Sequence, residues 1–413
     1  MIYTVAAFLS LPFVILRLIL KGFKEPEYHK NILERFGVYT NSVDRRDILW
    51  IHAVSVGEVY ASQPLYKKIR QLHPNKGIVF TTTTPSGRKI AQSIFREKTQ
   101  VIYLPLDIPP SIKKFLKTYK PKMGILIETE IWPNLTKLCK NNGIPLNLIN
   151  ARLSKISARK YTKLFALSRN TINQLSLIAA QTKEDARRFN FFVDKNIFIT
   201  GSMKFDREVP KIQKEVGKVM RIKYDALRPI FLAASTRPGE EEIIIQAIQQ
   251  IKNIPNLLTV IVPRHPNRSD KIARLAKSAS MPFQKLSHTT KVKSSTKIVL
   301  GDELGKLFAF YYSCDVAFVG GSLLPFGGQN FLEAHSVGKP VIIGPHVFNF
   351  KKIAREALKA GAVRQVKDYK QLAIEVESLI TDPNTRKNVA TAGINFLKNK
   401  QGATLKTIKL LGL

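Results

Sequence analysis

Short runs of β-branched and apolar residues recur along this chain at 48–53, 77–82, 101–104, 123–128, 145–150, 177–181 and 197–201. A second series follows at 229–235, 258–263, 297–300, 315–319 and 340–343. Stretches of helical period lie between them, among them 59–72, 85–95, 240–251, 269–279 and 328–337. The runs are apolar throughout instead of alternating, as strands covered on both faces must be. Strands separated by helices predict parallel sheets. A polar, Lys-rich stretch at 206–228, with Pro210 and Gly217, divides the two series. The expected fold class is therefore α/β, with two doubly wound domains and a cleft between them. Residues 22–208 form the first and 209–413 the second, the last helix being free to pack back on the first. Ligands of such sheets sit at the carboxyl ends of the strands.

Residues 2–20 are apolar with one charge, Arg17. That length suits a helix crossing a bilayer core. Met1 to Thr4 carry no basic side chain, whereas Lys21, Lys24, His29, Lys30 and Arg35 follow the run. This order differs from a cleaved leader and places the body on the cytoplasmic side. Residues 1–21 are thus expected to be a single-pass N-terminal membrane anchor, with Arg17 and Lys21 reaching the headgroups. A helix buried in the body or lying in the interface is the competing reading, kept open by Pro12 and Arg17.

The chain carries 66 Lys and Arg against 30 Asp and Glu, a net charge of +36. Such an imbalance points to anionic partners: nucleic acid, anionic lipid or a phosphorylated substrate. Cys139 and Cys314 belong to no metal-ligand spacing and read as reduced thiols, so no metal site is expected.

The informative residues fall in strand-to-helix loops. After the first strand come Ser55, Gly57 and Glu58, where Gly57 permits a tight turn. Glu58 is either a charge partner for its helix N-terminus or a general base. His52 reads as a satisfied strand-end histidine, and Thr81 to Thr84 as helix-capping hydroxyls suited to an anion. Glu128 and Glu130 flank one residue at a strand end and point to opposite sides if the backbone stays extended. Arg152, Lys155, Arg159, Lys160, Lys163 and Arg169 offer either a solvated helix face or a dock for phosphates. Lys204 adds a cation at the end of the first domain. In the second domain Ser235 and Arg237, then Pro263, Arg264 and His265, set donors at a sheet edge. Gly320, Gly321 and Ser322 precede Asn330 and Glu333, a setting for a nucleotide whose ribose hydroxyls bond the carboxylate. Asn330 and Glu333 also fit a capping box. No GxxxxGK[ST], HExxH or first-strand GxGxxG motif is present.

In this order the motifs resemble those of the Kdo transferases, membrane-anchored glycosyltransferases that add 3-deoxy-D-manno-octulosonic acid (Kdo) to the lipid A precursor. The resemblance spans nearly the whole chain. It rests on the HxxSxGE loop ending at Glu58, ETEIWPN at 128–134, NARLS at 150–154, GSMKFD at 201–206, PRHP at 263–266 and GGxNxLE at 327–333. It implies two Rossmann-like domains (the GT-B arrangement), CMP-Kdo as donor, the lipid A precursor as acceptor and no cofactor. It also implies work at the cytoplasmic face of an anionic inner membrane. Glu58 matches the family's proton acceptor, and Glu130 and Lys204 match transition-state-stabilising positions. Pro263, Arg264, Asn330 and Glu333 match CMP-contacting positions. Segment 301–307, with Gly305, resembles a further CMP loop, although relatives carry an acid where this chain has Lys306. Ser55, Gly57, Glu128, Ser235, Arg237 and Gly321 complete the expected substrate-binding set. The competing readings are another CMP- or UDP-sugar transferase of the same fold, and a basic nucleic-acid or membrane-binding protein. The chain has no aromatic-rich nucleic-acid module, so nucleic acid is not an expected partner.

Overall fold

The computed structural model describes residues 2–40, 47–95, 99–303 and 305–413. Met1 and Leu304, which enter the expectations above, lie outside the described residues. Contacts divide the chain into two compact units: the residues up to Arg207 together with Lys400–Leu413, and Glu208–Asn399.

The first unit holds β1 (Leu49–His52), β2 (Ile78–Thr82), β3 (Thr99–Tyr103), β4 (Met123–Ile127), β5 (Leu146–Ala151), β6 (Leu177–Ala180) and β7 (Phe198–Ile199). All are parallel, in the order β3-β2-β1-β4-β5-β6-β7. Successive side chains of a strand enter opposite layers, because Cβ direction alternates along it. Trp50, Leu126 and Leu148 join the core on one face, and Ile51, Ile125 and Phe80 the core on the other. Two covered faces explain why the runs are apolar throughout.

The helix Ala403–Leu411 belongs to this unit, where Ala403, Ile408 and Leu411 enter the core beside β1. Its start is capped from a distance in sequence. The Asp206 carboxylate accepts from Gly402 N at 2.7 Å and Thr404 N at 2.6 Å.

The second unit holds β8 (Ile230–Thr236), β9 (Leu258–Pro263), β10 (Phe283–Lys285), β11 (Ile298–Leu300), β12 (Val316–Val319), β13 (Val341–Ile343) and β14 (Val363–Gln365). Again all are parallel, ordered β10-β11-β9-β8-β12-β13-β14. The sequence reading does not anticipate β10 and β14. Both are three-residue edge strands with partly exposed side chains, so neither carries a buried apolar run.

A carboxylate welds two loops of this unit together. Glu240 opens the helix Glu240–Gln250 and is fully buried. Its oxygens accept from Gly321 N at 2.6 Å, Arg237 N at 2.8 Å, and Ser322 N and Leu323 N at 2.9 Å each. Each oxygen takes two bonds, which suits an ionised, acceptor-only carboxylate. Beside it the buried Glu241 accepts from Arg268 at 2.6 and 3.0 Å and from Thr236 Oγ1 at 2.7 Å.

The N-terminal run departs from expectation. It forms two helices, Ile2–Leu9 and Leu11–Lys24, bent by 41°. No single helix among the described residues is long and apolar enough to cross a membrane. Pro12 has no N–H for the Phe8 carbonyl, which breaks the ladder there. The first helix is also tied down, with Tyr3 Oη donating to Asp107 at 2.9 Å and Thr4 Oγ1 to Asn134 at 2.7 Å. The expected apolar run is thus two helices, which reach the length and apolarity of a span only as a bent pair.

Two stability outcomes follow. Asp206→Ala removes a helix cap and is expected to cost about 1–2 kcal/mol in denaturant unfolding. Glu240→Ala orphans four buried N–H groups and is expected to cost about 4 kcal/mol or more by the same measurement.

Candidate active site at the two sheet crossovers

In the first sheet the winding reverses between β1 and β4, and the loops that leave these strands part there. After β1, Ser55 precedes the helix Val56–Leu72 without a side-chain cap bond of its own. Glu58, in the first turn, folds back so that Oε2 accepts from Val54 N at 2.7 Å. Ser55 Oγ lies 3.4 Å from Oε1, a long contact that leaves this oxygen largely free. Glu58 thus serves its own helix start with one oxygen and presents the other. Gly57 is exposed at the start of the helix without a positive φ, and a Cβ there would meet open space. The expected tight turn at Gly57 is therefore absent.

After β4 the backbone does not stay extended. Glu128 has φ +66°, a conformation that costs a non-glycine residue about 1–2 kcal/mol. The extended geometry that would set Glu128 and Glu130 on opposite sides is therefore absent, and the charges of both raise the Glu58 pKa. Glu130 accepts from Trp132 Nε1 at 3.1 Å. Burial, with the Glu128 charge adding to it, holds the Glu130 pKa above the usual carboxylate value. Lys204 Nζ lies 3.0 Å from Glu128 Oε1, in charge contact without hydrogen-bond geometry.

Lys204 rides on the short turn Met203–Asp206. Asn150, itself at φ +51° and buried, accepts from Met203 N at 3.1 Å and holds that turn from one side. Asp206 ties its other end to the C-terminal helix. Asn150 and Asp206 are positioning residues; the motifs NARLS and GSMKFD contain them, but the sequence reading assigns them no role. Their partners, Met203 N and the start of the C-terminal helix, lie far away in the chain and leave no local signal of that role.

Burial is the largest influence on Glu58 and pushes its pKa up to about 7. Glu128 and Glu130 add to that rise, while the Val54 N–H and the Ser55 hydroxyl oppose it. His52 is fully buried, bonded through Nδ1 to Thr81 Oγ1 at 2.8 Å, and burial lowers its pKa to about 4. It is a neutral packing residue, satisfied at Nδ1 as expected but with Nε2 buried and unpartnered. Thr84 caps its helix through Gly87 N at 3.1 Å.

A cavity of about 430 Å³ opens beside Glu130, Trp132, Thr83 and Thr84. Its far wall is one side of the N-terminal helix, with Val14, Arg17, Leu18 and Lys21. Arg17 and Lys21, both solvent-exposed, stand at the rim of this cavity. Arg35 completes the basic lining, stacked on Tyr103 at 4.1 Å and donating to Thr83 O at 2.9 Å.

In the second sheet the reversal lies between β8 and β12. Ser235 (φ +56°) and Arg237 leave β8, while Gly320 and Gly321 leave β12. A Cβ at Gly320 would lie 2.7 Å from the Ser235 carbonyl oxygen, so close strand approach requires that glycine. The amide of Gly321, a residue of the expected substrate-binding set, is bonded to Glu240. Arg237 stacks on Phe326 at 4.9 Å with Nη1 3.1 Å from His265 Nε2. Pro263 ends β9 buried and Arg264 follows exposed, its N–H bonded to Thr236 O at 3.0 Å. Desolvation and the charges of Arg264, Arg237 and Arg268 lower the His265 pKa, which marks this edge as a field for an anion.

Asn330 Nδ2 donates to Glu333 Oε1 at 3.3 Å, and its Oδ1 accepts from Leu332 N at 3.3 Å. The pair is thus preset at the start of the helix Leu332–Ser336. Gly305 turns at φ +78°, and Lys306 pairs with Glu303 at 2.7 Å. The structure brings together Ser55, Gly57, Glu58, Glu128, Glu130 and Lys204 in the first unit. In the second unit Ser235, Arg237, Pro263 and Arg264 form one cluster and Asn330 and Glu333 another, with Gly305 on a separate loop. Among the described residues no three His, Cys, Asp or Glu side chains are grouped as metal ligands.

Residues 30–207 match the family described as 3-deoxy-D-manno-octulosonic-acid transferase (kdotransferase), and residues 240–396 match glycosyl transferases group 1. A 3-deoxy-D-manno-octulosonic acid transferase of Haemophilus influenzae is 36% identical over 99% of this chain and 97% of its own length. One from Bordetella pertussis is 35% identical over 88% of this chain and 86% of its own. In fold alone, the chain is similar to the UDP-GlcNAc 2-epimerase of Neisseria meningitidis. The TM-score is 0.61 at 17% identity, covering 89% of this chain and all of that one (100%). With two parallel seven-stranded sheets, motif-bearing loops at both crossovers and relatives that match end to end, this chain belongs to the 3-deoxy-D-manno-octulosonic acid transferases.

Proposed function

We propose that the chain moves Kdo from CMP-Kdo to the phosphorylated lipid A precursor by a single inverting displacement, with Glu58 as general base. The observation that carries this reading is the Glu58 carboxylate, part-buried and held by Val54 N, with its pKa raised by burial to about 7. A base poised near the working pH combines availability with proton affinity. Glu58 takes the proton of a sugar hydroxyl as that oxygen attacks the anomeric carbon, and CMP departs. Glu130 and Lys204 stabilise charge beside the reacting atoms, with Glu128 holding the ammonium in place.

The donor is read by the second unit. Its phosphodiester and carboxylate suit the cationic edge of Arg237 and Arg264, and Glu333, preset by Asn330, suits ribose hydroxyls. The acceptor is read by the first unit. The 430 Å³ cavity joins apolar side chains to three cations, Arg17, Lys21 and Arg35, a lining suited to a phosphorylated amphiphile. Ile2, Leu9, Phe13, Leu20 and Phe23 point outward on the N-terminal helices. That face supports attachment in the plane of an anionic membrane, at its cytoplasmic side.

Glu58→Gln is expected to cut turnover by roughly 10²–10⁴-fold with CMP affinity nearly unchanged. Undiminished turnover removes Glu58 from the role. Because the base works only when ionised, a raised pKa makes activity fall as pH drops through about 7. A kcat/KM profile flat from pH 8 to pH 5.5 would contradict this. Mass analysis of the lipid formed from CMP-Kdo and the acceptor tests the substrates directly.

A further inference from the structure

We propose that the outer face of the helix Lys211–Lys223, in the second unit, is a docking surface for an anionic phospholipid bilayer. The inner side of this helix is packed: Gly217 and Met220 are buried, and Gln213 accepts from Ala309 N at 3.3 Å. A Cβ at Gly217 would lie 2.8 Å from the Ala309 carbonyl oxygen, so the helix sits tightly on its neighbour. Along the exposed side, beside Lys211, Glu215 and Lys218, lie bare apolar side chains. Ile212 is 67% exposed, Val219 55% and Ile222 70%, and Leu227, on the turn beyond, is 91% exposed. Single apolar residues at a surface are ordinary, but these fall at i, i+7 and i+10, with the half-buried Val216 at i+4. They form one stripe.

The charge around the stripe chooses its occupant. The helix carries Lys211, Lys214, Lys218, Arg221 and Lys223 against one acid, Glu215. Glu215 is paired with Lys218 at 3.0 Å, and Arg221 turns inward to Asp315 at 2.9 Å. Val292 N donates to Lys223 O at 3.0 Å, which brings the exposed Lys291 and Lys293 to the end of the helix. Between the helix and the 286–290 segment runs a groove of about 730 Å³, walled by Val216, Val219, Met220 and Leu286. Its other acid, Glu303, is already paired with Lys306 at 2.7 Å. An apolar stripe edged by lysines is the pattern of a helix that lies in a membrane interface, its apolar side among acyl chains and its cations among anionic headgroups. Nucleic acid would find the phosphate partners but leave the stripe in water. The inference extends membrane attachment to the second unit and does not depend on the N-terminal helices or on the catalytic reading.

The test uses the full chain with Ile222→Cys carrying an environment-sensitive fluorophore, and Lys387→Cys as a control. Cys139 and Cys314 are buried and do not compete for the label. Vesicles of phosphatidylglycerol and phosphatidylethanolamine are compared with phosphatidylcholine alone. Anionic vesicles are expected to brighten and blue-shift the probe at 222 and leave the one at 387 unchanged. Lys211→Glu/Lys214→Glu/Lys223→Glu is expected to weaken the titration about tenfold or more. A silent probe at 222, whether or not the protein sediments with the vesicles, overturns the proposal. So does a shift that appears without vesicles as protein concentration rises, which would assign the stripe to a second copy. Transfer of Kdo to detergent-dispersed acceptor reads the catalytic proposal separately, since the stripe holds none of its residues.

Discussion

A parallel sheet that winds both ways leaves one place where neighbouring strands send their loops apart, and ionisable groups can stand there without breaking a ladder. Each unit of this protein has one such place, between β1 and β4 and between β8 and β12. Glu58, Glu128 and Glu130 occupy the first, while Arg237, Glu240 and the Gly320–Gly321 turn occupy the second. Elsewhere along these strands side chains face a covered layer, where an unpaired carboxylate costs several kcal/mol. The crossover is therefore the physical reason why acids and apolar runs coexist in so few residues.

The two crossovers use carboxylates in opposite ways. Glu240 receives four main-chain N–H groups, so it has no acceptor site left for a ligand and acts as a strut between two loops. Glu58 receives one strong N–H bond on one oxygen and keeps the other nearly free. The same residue type, near the start of a helix in both cases, is saturated at one crossover and keeps an oxygen nearly free at the other. Satisfaction of hydrogen bonds, more than burial, separates the roles.

Positioning of the cation follows from long-range ties. Lys204 sits on a four-residue turn that could not hold its own shape. Asn150 grips its start, and Asp206 binds its end to a helix nearly two hundred positions further along. The C-terminal residues 400–413 are thus part of the unit that carries Glu58, although the chain passes through the whole second unit before reaching them.

Fold class, central strands and the motif loops were legible in the amino-acid order alone. A strand covered on both faces must be apolar at every position, and a loop that meets ligand must depart from that pattern. The edge strands β10 and β14 were not legible, because half-exposed three-residue segments carry no such signature. Tertiary structure alone decided the φ of Glu128 and the charge contact of that acid with Lys204. It alone spent the Gly321 amide on Glu240, and bent the N-terminal run into two helices. In each case the deciding partner lies far away in the chain or depends on a backbone angle, and local composition records neither.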